Sequence, residues 1–509
     1  MPGATTAATE GRSGRRSSRK QGPSAPTGWA SGPGARGAIA LVAGALLSAG
    51  LPPFGWWALA LVGAGLLAAV VHGTSLRGRA WVGAAAGLGF LGPGLWWMTE
   101  FHLVGFALAV AIETSLFTLA IAAAPPRRGY FLGLPAALVL IEAVRGAWPF
   151  GGVPIATLAQ TQIGGPLAPP ARLGGSLLVA GLVGLSGVAL AAMSRRAWRP
   201  AASAAAVVGA VAVAAAVAPA GRAVGTLDVA VIQVGGPRGL RAVDNQSGPG
   251  FTAILAAADD LPEGLDVVLF PEGGVGVDGD VRDAARGAEV AALARRLGTT
   301  VVSGVTQREG DRFRNLAVAW GPDGDVVGRY EKNQRVPFGE YVPLRALLDG
   351  VVDLRAVPRD AVAGKGPGLL TTPAGDLGVV ISYEVFFPRR ARAAVREGAE
   401  VLLVPTNASS YPTTQMPALE LGAARLRAIE TGRAVVQAAP TGFSAVVGPD
   451  GTVRRQSDLG EPAVLREEVQ RRTGSTLYTR MGDAPVLALA VAALAVAWWR
   501  AGLRRRPGG

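Results

Sequence analysis

The stretch VVISYEVFF, residues 379–387, begins as a strand buried in a core and then runs into a hydroxyl and a carboxylate at Ser382-Tyr383-Glu384. Polar groups at a buried strand end are costly unless they are partnered or used. Short β-branched runs closed by Gly, Pro, Asn or Asp recur at LDVAVIQV (227–234), LDVVLFPE (265–272), TTVVSGVT (299–306), NLAVAWGPDG (315–324), EVLLVPTN (400–407) and AVVQAAPTG (434–442). Helical patterns lie between several of them. VRDAARGAEVAALARRLG (281–298) sets Val290, Leu293 and Leu297 on one face and closes on a glycine, and PALELGAARLRAIETG (417–432) is similar. Strands alternating with helices predict an α/β layered domain rather than an all-β sandwich.

The rest of the chain is of another kind. Half of its 509 residues are hydrophobic and only 17% are charged, with the apolar residues in long blocks near both ends. Spans are expected at about 37–52, 55–72, 80–98, 103–124, 130–146, 174–193, 201–219 and 483–500. This is the pattern of a multi-span α-helical membrane bundle with an α/β insert. The organisation is therefore 1–35 a disordered basic arm, 36–222 a membrane domain of about seven spans, 226–475 the insert, 483–500 a C-terminal transmembrane helix and 501–509 a basic tail.

The net charge of +13 raises the question of nucleic acid, but its distribution answers it. Residues 226–480 carry 29 Lys+Arg against 31 Asp+Glu, and the remainder carries 20 against 5. The insert lacks the cationic face that phosphate binding needs, so nucleic acid is not an expected partner. With the N-terminus inside, 17 cationic residues fall on the inner side and two, Arg145 and Arg172, on the outer loops. The positive-inside rule then places both tails in the cytoplasm and the insert on the extracytoplasmic face of the cell membrane. The pairs Trp56-Trp57, Trp96-Trp97 and Trp498-Trp499 sit at span ends, as interfacial anchors do. Glu100, Glu113 and Glu142 lie in or beside spans, and Arg145 is one helical turn from Glu142, the spacing of a structural ion pair.

The residue inventory narrows the chemistry. There is no cysteine, and both histidines, His72 and His102, belong to the membrane part, so the insert holds neither a Ser-His-Asp triad nor a Cys- or His-ligated metal. No phosphate-binding glycine loop is present, and no cofactor is implied. Carboxylates, hydroxyls, Arg and a rare Lys are left to do the work. Only three lysines stand beside 46 arginines, and one of them, Lys332, sits in RYEKNQRVPFGEYVP (329–343). Glu272 closes one strand, Lys332 follows another, and Ser382 with Glu384 closes a third, which is how α/β sheets assemble sites at one edge.

These motifs carry a resemblance. FPE (270–272), YEKNQRVPFGEYVP (330–343) and ISYEVFFP (381–388) are similar to the carbon-nitrogen hydrolase (nitrilase) superfamily. The whole chain from about 38 to 500 resembles the bacterial apolipoprotein N-acyltransferases, with LPPFGWWALA (51–60), GFLGPGLWWMTEF (89–101) and EAVRGAWPFGGVPIATLAQTQ (142–162) matching the membrane part. The resemblance implies a nitrilase-like αββα four-layer sandwich on a membrane bundle. It implies Glu272 as general base, Lys332 as stabiliser of the oxyanion and Ser382 at the nucleophile position, with Glu340, Glu384 and Tyr383 supporting. The implied reaction moves a fatty acyl chain from a phospholipid donor, through an acyl-enzyme, to the N-terminal amine of a diacylglyceryl-modified lipoprotein. A monomer is expected.

One departure stands out: the family's nucleophile is a cysteine, and here it is Ser382. A thiol is already a few per cent ionised at neutral pH, whereas a hydroxyl is a weak nucleophile without a matched base, and a glutamate near 4.3 is poorly matched. Three readings follow: an acyltransferase working through a Ser382 ester, a catalytically silent homologue that binds lipid or lipoprotein, and a site using another nucleophile such as Ser409 or Ser410 or hydrolysing another substrate. The segments 341–368 and 408–417 are read equally as plain loops or as flaps over a lipid-entry cleft.

Overall fold

The structure, a computed structural model, describes residues 32–127, 129–239, 250–348 and 357–502. The N-terminal arm and the C-terminal tail therefore fall almost wholly outside the described residues. Helices occupy the first seven apolar segments: α1 (Pro33–Ala49), α2 (Trp57–Val71), α3 (Leu76–Gly94), α4 (Leu103–Ala123), α5 (Tyr130–Arg145), α6 (Ala171–Ser194) and α7 (Trp198–Val217). The eighth forms the C-terminal helix Ala484–Gly502. Four of the eight, α4, α6, α7 and the C-terminal helix, are long and apolar enough to cross a membrane.

Small residues set the spacing in this bundle. A Cβ on Gly44 would lie 2.1 Å from the Ala86 carbonyl oxygen, and one on Gly89 would lie 2.2 Å from that of Leu41. α1 and α3 thus meet backbone to backbone, which only glycine permits. Arg145, fully buried at the end of α5, pairs with Glu142 at 2.8 Å and also with Glu113 of α4, and it donates to the Ile155 carbonyl at 2.8 Å. Two of the three acids noted in the spans are therefore a cation's counterions, and Glu113 finds its partner 32 residues away in sequence.

The α/β part contains β1 (Arg222–Gln233), α8 (Phe251–Asp259), β2 (Val267–Leu269), β3 (Val275–Asp278), α9 (Ala285–Leu297), β4 (Thr300–Glu309), β5 (Arg312–Trp320), β6 (Val326–Glu331), α10 (Arg345–Leu348) and β7 (Asp360–Ala361). It continues with β8 (Leu369–Thr372), β9 (Gly375–Val379), α11 (Pro388–Arg396), β10 (Val401–Pro405), α12 (Gln415–Thr431), β11 (Val435–Ala438), β12 (Ala445–Val447), β13 (Val453–Gln456), β14 (Ala463–Thr473) and α13 (Leu477–Met481), and α14 is the C-terminal helix. One sheet runs β14-β1-β2-β4-β5-β6 with β3 and β7 attached, and the other runs β13-β12-β11-β10-β9-β8.

The two-residue period of a strand decides the layers. Val229, Val231, Val267 and Leu269 point inward and meet Val379, Ile381, Val401 and Leu403 of the other sheet. Their neighbours Ala230, Ile232, Val268 and Phe270 pack outward against α8 and α9. On the far side, Val380, Leu402 and Val404 pack against α11, α12 and the bundle in one continuous core. The expected αββα four-layer sandwich is what forms. Gly298 and Gly432 close α9 and α12 in the left-handed region, at φ of 62° and 67°.

The strand ends differ from expectation. β2 stops at Leu269 and β9 at Val379, so Glu272 and Ser382 lie beyond the ladders, Ser382 opening a 3-10 turn, Ser382–Phe386. The apolar run continues past the strand because the turn itself is buried.

Replacing Gly89 by alanine should cost about 1–3 kcal/mol by forcing α1 and α3 apart. Gly92→Ala, where a Cβ meets nothing within 4 Å, should be neutral or stabilising by up to about 1 kcal/mol of helix propensity. Thermal unfolding of the two purified variants in detergent checks the contrast.

Candidate active site

Parallel strands leave their carboxyl ends on one edge, and in each sheet the central strands are parallel: β1, β2 and β4 in the first, β9, β10 and β11 in the second. β6 is antiparallel to β5, which is antiparallel to β4, so β6 ends on the same edge as β2. Glu272 follows β2, Lys332 follows β6, Ser382 follows β9 and Thr406 follows β10. That topology alone gathers the site.

Lys332 is buried between two carboxylates. Its Nζ donates to Glu272 Oε1 at 2.9 Å and to Glu340 Oε1 at 2.7 Å. The Asn315 amide on β5 donates to the same two oxygens, at 2.6 and 3.0 Å, closing a four-membered cluster. Glu340 is fixed from behind by the Val336 N–H at 2.8 Å, an oxygen-to-backbone tie that needs the tight turn of VPFGEY. Burial works against the Lys332 charge, but Glu272 and Glu340 outweigh it and raise its pKa, so it is an ammonium throughout the physiological range.

Ser382 has a φ of 48°, in the left-handed region that non-glycine residues enter at a cost of about 1–3 kcal/mol. Glu384, fully buried, holds the turn in that shape. Its carboxylate accepts from the Ile381 N–H at 2.9 Å, the Asn333 N–H at 2.8 Å, the Gln334 N–H at 3.0 Å and the Tyr330 hydroxyl at 2.8 Å. Three of those donors belong to the segment carrying Lys332. The Tyr383 hydroxyl donates to the Gly152 carbonyl at 2.9 Å and so anchors the turn to the membrane part.

The Ser382 hydroxyl makes its hydrogen bond elsewhere. It donates to Glu420 Oε1 on α12 at 3.4 Å, and among the described residues neither Glu272 nor Lys332 is its hydrogen-bond partner. The Thr406 hydroxyl donates to the same Glu420 oxygen. Burial raises the Glu420 carboxyl to about 7, helped by Glu272 and opposed by Thr406, Lys332 and Ser382. Glu420 is absent from the expected set. The signal available for it is an acid flanked by Leu419 and Leu421 in a helix that is buried almost all round.

The alternative nucleophiles sit differently. Ser409 is buried, and its hydroxyl accepts from that of Thr441 at 2.8 Å. The loop around it is tied down: the Tyr411 ring packs on Trp97 and Phe101, and the Gln415 amide bridges the Trp97 N–H and the Pro93 carbonyl at 2.9 and 2.7 Å. Of the other segment read as loop or flap, residues 349–356 lie outside the described residues.

Two family models cover this architecture, the apolipoprotein N-acyltransferase N-terminal domain over residues 43–189 and carbon-nitrogen hydrolase over 188–478. The apolipoprotein N-acyltransferase of Mycolicibacterium smegmatis is 30% identical over 521 residues, 90% of this chain and 84% of that one. The chain belongs to the apolipoprotein N-acyltransferase family. The Pseudomonas paraeruginosa member is 29% identical, covering 94% of this chain and 98% of its own. Among solved structures, Saccharomyces cerevisiae Nit3, of the nitrilase superfamily, matches 50% of this chain and 92% of its own at 19% identity and a TM-score of 0.37.

Lys332→Met should strand the buried Glu272 carboxylate and the half-buried Glu340 carboxylate without their cation and cost about 3–5 kcal/mol. A fall in the thermal midpoint, together with loss of any covalent acyl adduct, is the expected outcome.

Proposed function

We propose that this protein transfers a fatty acyl chain from a phospholipid to the N-terminal amine of a diacylglyceryl-modified lipoprotein, through an ester on Ser382. The observation that carries the reading is the placement of Ser382 on a strained, buried turn that Glu384 ties to the Lys332 segment. In the first half-reaction the Ser382 oxygen attacks the phospholipid ester carbonyl, and Lys332 supplies a fixed positive charge toward the developing oxyanion. Collapse expels the lysophospholipid alkoxide as an alcohol. In the second, the neutral amine of the lipoprotein attacks the Ser382 ester, forms the amide and frees the hydroxyl. Glu272 and Glu340 keep Lys332 charged and aimed, and Tyr383 and Glu384 hold the turn.

A cell-membrane setting fits both substrates. The excess of cationic residues on one side of the eight helices supports a multi-pass arrangement with the catalytic domain on the extracytoplasmic face. One chain carries every residue named, so a monomer suffices as the working unit.

Incubation of the purified protein with labelled phospholipid should give an acyl ester that maps to Ser382 and is discharged by a diacylated lipopeptide. Ser382→Ala should give no adduct, and Ser382→Cys should acylate about tenfold faster or more, since the thiol brings its own thiolate. Lipopeptide binding with neither adduct nor triacylated product would instead identify a silent homologue.

A further inference from the structure

We propose that Glu420 is a further catalytic residue: the general base that takes the Ser382 hydroxyl proton on attack and returns it to the leaving alkoxide. This rests on the reading of Ser382 as the nucleophile. Geometry selects Glu420, because its Oε1 is the acceptor of the Ser382 hydroxyl at 3.4 Å. Such bonds are often long before substrate is bound and tighten in the reacting complex. Glu272, the residue at the family's base position, is otherwise engaged, its Oε1 accepting from both Lys332 and Asn315.

The surroundings of Glu420 suit it to a hydroxyl. Thr406 at the end of β10 and Ser382 on the turn present hydroxyls, Glu272 and Lys332 face it from the other sheet's edge, and Tyr411 lies near on the following loop. No cation is hydrogen-bonded to it among the described residues. Burial therefore dominates and pushes its carboxyl up to about 7. A base with that affinity accepts a hydroxyl proton far more readily than one at the ordinary glutamate value.

The proton balance is complete. As the Ser382 oxygen bonds to the phospholipid carbonyl carbon, its proton moves to Glu420. As the tetrahedral adduct loses the glycerol oxygen, Glu420 gives the proton to that alkoxide. In the second half-reaction Glu420 takes a proton from the attacking amine and returns it to the Ser382 oxygen as the ester breaks. The role follows from the substitution at the nucleophile, since a thiol needs less help from a base.

The test uses the full chain in detergent and a long-chain alkyl fluorophosphonate, a serine-directed reagent, with phosphonylation of Ser382 followed by peptide mass mapping from pH 5.5 to 8.5. The wild-type rate should rise with pH through a midpoint at about 7, because only ionised Glu420 accepts the proton. Glu420→Gln should lower it about 100-fold and flatten the profile. In a Ser382→Cys background the same Glu420→Gln change should alter thiol alkylation by iodoacetamide by less than about threefold. Near-wild-type labelling of Glu420→Gln, an equal loss in both backgrounds, or no labelling of wild-type Ser382 would overturn the assignment. Normal, Glu420-dependent labelling combined with no acyl adduct from phospholipid would sink the acyl-transfer reading while leaving Glu420 as the base.

Discussion

A single buried carboxylate, that of Glu384, makes the rest of the site possible. A buried carboxylate must be satisfied by donors, and here its hydrogen bonds come from two segments far apart in sequence, with Arg390 of α11 adding an ion pair at 3.5 Å. The Ile381 N–H fixes the turn on which Ser382 sits, and the Asn333 and Gln334 N–H groups fix the chain just after Lys332. Removing the carboxylate would leave several donors unmet, at about 1–3 kcal/mol each, and would release a serine backbone held in a conformation it does not prefer. The strained Ser382 backbone and the position of the Lys332 segment are thus stabilised by one group.

The same edge of the sandwich is the one that meets the membrane bundle. α12 carries Glu420 on its first turns and, further along, Arg427 and Glu430, which pair at 2.7 Å and both bond Ser176 of α6. Gln160 reaches the Leu419 carbonyl at 3.4 Å, one residue before Glu420, and Tyr383 reaches Gly152, one residue after Ser382. Glu420 and Ser382 are therefore sequence neighbours of the residues that dock the two parts. A shift of the bundle against the sandwich would move both Glu420 and the Ser382 turn, so the fit of the two parts bears directly on the distance between the Glu420 carboxylate and the Ser382 hydroxyl.

How much of this was legible in the sequence follows from the range of each interaction. The layered sandwich is written locally, in period-two strands such as Val229–Ile232 and in helices closed by Gly298 and Gly432, and it was readable. Glu272, Lys332 and Ser382 were readable as strand-end residues of unusual type within distinctive motifs. The partners were not. Glu113 is 32 residues from Arg145 and Glu420 is 38 from Ser382, and nothing in a helical pattern says which buried acid faces which strand end. Asn315 was equally hidden, because only the antiparallel register of β5 against β6 brings it beside Lys332.

Burial and the placement of donors explain why the Glu420 carboxyl is pushed up to about 7. Glu272 and Glu340 both hydrogen-bond the single cation, and Asn315 adds a donor to each. Among the described residues Glu420 is hydrogen-bonded only by the hydroxyls of Thr406 and Ser382, and it feels Glu272 as a repulsive neighbour. In a water-poor pocket a carboxylate with no cationic partner is disfavoured as the charged form. The carboxyl with the raised proton affinity is thus the one that accepts from the Ser382 hydroxyl.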